Sequence, residues 1–245
     1  MALMRTSNPA LNQKVFKLAA AQAEPMTLSG VVNKTAILLL CTAVTAVWSW
    51  QRFAQAPEQV WGFVAVGGIG GFIVAMVTIF QKEWSAVTAP LYALLEGLFL
   101  GALSASWEAS FHGIVIQAVV LTFGTLLALL MAYRSGLIKA TQNFKLGVVA
   151  ATGGIALLYL TGIALGFFGI RFASINGAGP IGIGFSIFVV IVAALNLVLD
   201  FDFIESGVNA GAPKYMEWYA AFGLMVTLIW LYLEILRLLA KLRRR

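Results

Sequence analysis

Hydrophobic residues fall in seven long runs separated by short polar breaks. The runs cover Lys34 to Trp50, Val60 to Phe80, Val87 to Trp107, Gly113 to Tyr133, Leu146 to Ile170, Pro180 into an acidic stretch ending at Glu205, and about Trp218 to Ala240. About 20 apolar residues in a helix cross the roughly 30 Å hydrocarbon layer of a bilayer. In lipid every backbone polar group must be satisfied inside the segment, so the runs predict helices and not open strands. The expected fold is an all-α integral membrane protein, a bundle of seven transmembrane helices over residues 30–245. Residues 1–29 precede it as a cytoplasmic tail, in which Val15, Phe16, Leu18 and Ala19 beside Lys14 and Lys17 have the pattern of a short interfacial helix.

Composition agrees: 61% of the 245 residues are hydrophobic and 11% charged, well under the roughly 25% charged of soluble domains. The single cysteine, Cys41, rules out an intrachain disulfide, and the single histidine, His112, rules out a site of several histidines. The net charge of +6 resides in the tails and loops, without a polar domain of interleaved aromatics and cations, so no nucleic-acid partner is expected and the bilayer is the expected surroundings. Met1 to Ser29 lacks the apolar core of a secretory signal. With the N-terminus inside, nine Lys and Arg lie on the cytoplasmic side and seven on the other. The basic end Lys241 to Arg245 opposes that orientation. Glycines recur four apart at Gly67/Gly71, Gly97/Gly101 and Gly162/Gly166, a spacing that lets membrane helices approach closely.

Acidic residues inside the runs are the candidate chemistry, since a charge at the bilayer centre costs roughly 2.5 to 3.5 kcal/mol on insertion scales. Asp200 and Asp202 end the sixth run, with Asn196 on the face of Asp200 and Glu205 on that of Asp202. Two residues apart on a regular helix, the aspartates diverge by about 200°, so one faces the bundle and the other headgroups or water. Glu96 lies deep in the third run. Thr227, Glu234 and Arg237 share a stripe on the seventh, where Glu234 and Arg237 can neutralise one another. No nucleophile elbow or zinc-helix motif is present, so an enzyme is not expected. Carboxylates in a membrane bind protons, cations or both, and proton-coupled transport of a solute is one use of them.

The stretches Met26-Thr-Leu-Ser-Gly-Val-Val-Asn-Lys-Thr35, Leu94-Leu-Glu-Gly-Leu-Phe-Leu-Gly101 and Leu199-Asp-Phe-Asp-Phe-Ile-Glu205, with the last helix, resemble the Bax inhibitor-1 family in its bacterial YccA-like branch. The resemblance implies six helices around a central seventh. It also implies a calcium leak in the bacterial inner membrane, regulated by pH through a carboxylate pair between the sixth and seventh helices. Carried over, the sixth-helix position falls on Asp202, with Asp200 the alternative, and the seventh-helix position on Thr227. A hydroxyl does not titrate in this range. The pair would then be Asp200 with Asp202, or either with Glu96, while Asn196, Glu205, Glu234 and Arg237 support it. Asp200 and Asp202 are the candidate calcium ligands, calcium being the permeant ion, and no cofactor is required. Related proteins also restrain a membrane-embedded AAA protease, which makes a regulatory, protease-binding role the alternative. A monomer is the simplest expectation for the assembly.

Overall fold

The computed structural model describes residues 24–169, Ile175 and residues 177–244. The interfacial helix expected around Val15 to Ala19 lies outside the described residues. Seven long helices follow in order: α1 (Leu28–Gln55), α2 (Val60–Phe80), α3 (Ser85–Ser110), α4 (Ile114–Arg134), α5 (Gln142–Phe167), α6 (Pro180–Asn209) and α7 (Met216–Arg243). All seven are long and apolar enough to cross a membrane. Among the described residues there is no strand, only one isolated bridge between Pro25 and Pro213.

Several helices start before the hydrophobic runs do, because capping chemistry and not hydropathy sets their ends. Thr27 accepts the Gly30 N–H at 3.0 Å and opens α1 six residues ahead of Lys34. Thr141 accepts the Phe144 N–H at 3.4 Å and opens α5 ahead of Leu146. Pro180 stands in the first turn of α6, where its missing N–H costs nothing. Gly211, at φ 64°, takes the left-handed conformation that lets the chain leave α6 and turn into α7.

α7 is the inner helix. Half of its membrane window is buried, against 11% for α5. It packs directly on α1, α3, α4 and α6, while α2 lies outside α3 and α5 outside α6. The outward faces are apolar, with Leu40 at 66% and Phe72 at 63% exposure, a surface suited to lipid and not to water.

Glycine sets how closely α3 is held. A Cβ on Gly97 would stand 1.9 Å from Thr45 Oγ1 and 2.4 Å from the Thr42 carbonyl of α1, and one on Gly101 would stand 2.1 Å from the Ala46 carbonyl. On α2, a Cβ on Gly67 would stand 2.6 Å from the Leu95 carbonyl. Two of the three glycine pairs are therefore helix seams gripping α3 from both sides. The third differs: a Cβ on Gly166 would meet nothing within 4 Å among the described residues.

Candidate functional site

α6 does not end at its acids. It continues to Asn209, so Asp200 sits nine residues inside the helix, about 14 Å from its end. That is deeper than the loss of hydrophobicity suggests. Glu96 lies eleven residues from the start of α3 and Thr227 eleven from the start of α7. Alternate helices run in opposite directions, so these three positions fall at one depth.

They also fall together laterally. Asp200 and Glu96 line one cavity of about 690 Å³, walled by α2, α3, α6 and α7, with Tyr92, Tyr219 and Trp230 also on its wall. Glu96 is 9% exposed, and Gly71 leaves it room, since a Cβ there would stand 2.8 Å from Glu96 Oε1. Thr227 is the polar neighbour of Asp200 across the α6–α7 seam. Its hydroxyl donates to the Gly223 carbonyl at 3.3 Å. Asp200 Oδ2 is buried and has no hydrogen-bond partner among the described residues. A buried oxygen in that condition loses its water without replacement, so it marks a place where a proton, a cation or water is wanted.

The other singled-out residues lie elsewhere. Asp202 turns away and forms an ion pair with Lys145 at the start of α5. Glu205 accepts from the Tyr133 hydroxyl of α4. Asn196 donates to Thr152 Oγ1 and to the Val192 carbonyl, each at 2.8 Å, tying α6 to α5. Asp200 and Asp202 therefore do not converge on one ion, as the roughly 200° between them requires. Among the described residues no three His, Cys, Asp or Glu side chains form a group that could hold a metal. Glu234, fully enclosed, accepts from Arg237 at 2.7 Å and from the Tyr159 hydroxyl at 3.0 Å, forming a closed polar cluster between α5 and α7.

Two buried charges of α7 were not among the candidates read from the sequence. Glu217 has no exposed surface. It accepts from the Thr27 N–H at 2.8 Å and the Thr27 hydroxyl at 2.9 Å, and it pairs with Lys34. The Met26 N–H donates to the Ala212 carbonyl at 2.7 Å. Together these contacts clamp the segment before α1 onto the start of α7. Lys214, on the α6–α7 loop, joins the clamp through Glu24 at 2.9 Å, and the hydrogen bond to that carboxylate raises its ammonium above the ordinary lysine range. The clamp lysine thus stays charged throughout the neutral range. Thr27, Gly30 and Lys34, the residues around Glu217, all lie within the stretch quoted above. At the other end of α7, Lys241 is 6% exposed and donates to the carbonyls of Ile175 and Gly182 at 2.7 and 3.0 Å and to Ser186 Oγ at 2.9 Å.

The arrangement suits reversible charge more than bond chemistry: two carboxyls on one cavity wall, bordered by apolar and aromatic side chains. The family model described as Bax inhibitor 1 like matches residues 8–244, nearly the whole chain. No curated protein matches it.

Proposed function

The chain belongs to the Bax inhibitor 1-like family, and from that premise we propose that it is a pH-sensitive, calcium-permeable leak channel of the bacterial inner membrane, gated by protonation of membrane carboxylates. The observation that supports this most is Asp200 Oδ2, buried without a partner on the wall of a cavity that also holds Glu96. Both carboxyls line one cavity, so the charge that cavity holds depends on how many of them carry a proton. Thr227 contributes a hydroxyl beside Asp200 but no second charge. The second titrating group is therefore Glu96, reached across the cavity from α3. The two protonation states differ in the charge the cavity must accommodate, hence in water content, in how α7 seats against α3 and α6, and in the entry of a hydrated cation. Oxygen ligands suit calcium, and a site with few of them releases it, as a passage requires.

The test is calcium entry into liposomes loaded with a calcium dye, measured on the acid and the alkaline side of neutral, at about pH 6 and about pH 8. Wild type should conduct with a rate that differs between the two. Asp200→Asn and Glu96→Gln should each flatten the difference, while Asp202→Asn, whose partner is Lys145, should keep it. A rate no greater than that of empty liposomes at both pH values, or an unchanged pH response in the Asp200→Asn/Glu96→Gln double variant, would overturn the reading.

A further inference from the structure

A second cavity, of about 560 Å³, adjoins a neighbouring flank of α7 and is enclosed by α1, α3, α4 and α7. Its mouth is the gap between α1 and α4, which share no packed interface. Val47 and Phe123 stand at that gap, 58% and 41% exposed toward the bilayer. Its floor is the protein core: Met225 is fully enclosed and Leu228 is 4% exposed.

What could fill it follows from its polar groups. Every hydroxyl on the wall is already committed. Thr42 donates to the Leu38 carbonyl at 3.0 Å, Thr122 to the Ala118 carbonyl at 2.7 Å, and Ser104 and Tyr232 bond each other at 2.6 Å. Away from the Trp50 and Gln51 end, water entering such a space finds few partners, whereas leaving it empty forfeits dispersion contacts over its whole lining. An apolar chain satisfies both conditions. This separates it from the acidic cavity, where an unpartnered carboxylate oxygen invites protons and cations.

The dimensions select the chain. Along α1 the pocket extends from Leu39 to Gln51, about 18 Å at 1.5 Å per residue. One leaflet contributes about half of a hydrocarbon layer roughly 30 Å thick. The outer end carries Trp50 and Gln51 on the wall and Arg52 just beyond, held over the Trp48 ring at 5.3 Å. Indole, amide and guanidinium groups belong at headgroup level. We propose that this pocket binds one acyl chain of a phospholipid from the leaflet at the C-terminal end of α1, with the phosphate at the level of Gln51 and Arg52.

The probe is a vesicle of phosphatidylethanolamine and phosphatidylglycerol, from which the full chain is extracted in mild detergent and weighed by native mass spectrometry. Wild type should retain one phospholipid per chain. Ala43→Trp and Val119→Trp fill the pocket from opposite walls and should lower occupancy several-fold, while Leu40→Trp, on the exposed face, should leave it unchanged. No retained lipid in wild type, or wild-type occupancy in both filling variants, overturns the proposal. A second measurement needs no filling variant. A phospholipid with a photoreactive group in its acyl chain should label Met225 or Leu228 on the floor, and labelling confined to outward residues such as Leu40 and Ile116 overturns it. Neither readout depends on calcium flux, so the pocket and the channel reading stand or fall separately.

Discussion

A carboxylate sealed from water survives only if donors surround it, and Glu217 has them from Thr27 and Lys34. Removing one member of a buried ion pair leaves the other uncompensated, which costs about 3–5 kcal/mol. Glu217→Ala should therefore lower thermal stability sharply in detergent, and adding Lys34→Met should recover part of the loss. A loss in the double variant equal to the sum of the losses in Glu217→Ala and Lys34→Met would show that the pairing contributes nothing. The same residue marks a limit of reading sequence. The divergence of Asp200 and Asp202 was legible, because helical periodicity alone separates residues two apart. Glu217 was not, because it sits one residue before the apparent start of the last apolar run and looks like a charge at the interface. Its partners are 183 to 190 residues away, a distance no local pattern bridges.

Among the elements, α3 is the most tightly held, with backbone against backbone on two sides. A methyl group at Gly97 or Gly101 has main-chain atoms of α1 in its way, and overpacking of this kind costs about 1–3 kcal/mol or more. Gly97→Ala and Gly101→Ala should lower the unfolding temperature, whereas Gly166→Ala should be neutral or stabilising. A comparable loss at Gly166 would refute the distinction between seam glycines and tolerated ones. The number and type of the helices were legible from hydrophobic length. Their ends were less so: Thr27 and Thr141 add turns that hydropathy does not register, and α6 carries its acids onward as helix to Asn209. That extension is why Asp200 shares a depth with Glu96. The convergence of Glu96, Asp200 and Thr227 on one region depended on the order in which helices surround α7, which spacing along the chain does not encode.

At the level of the whole molecule, seven full crossings would put Ser29 and Arg244 on opposite sides of the membrane. The basic end of α7 looked like an argument against an inward N-terminus, since cations in short flanks orient spans. Its charges are largely engaged within the fold. Arg237 pairs with Glu234, Lys241 is enclosed by carbonyls, and Arg243 donates to the His112 carbonyl at 2.6 Å. Single cysteines placed at Ser29 and Arg244, in a chain with Cys41→Ala, should react with a membrane-impermeant maleimide from opposite faces of oriented vesicles. Labelling of both from one face would contradict seven full crossings.

Ile229 lines both cavities, and so stands as the septum between a pocket suited to an acyl chain and one that holds carboxyls. One side chain is a thin wall, and its size decides whether the two hollows are separate rooms or one. Ile229→Ala should open a passage between them, and a spin-labelled lipid tail in the first should then broaden the signals of residues lining the second.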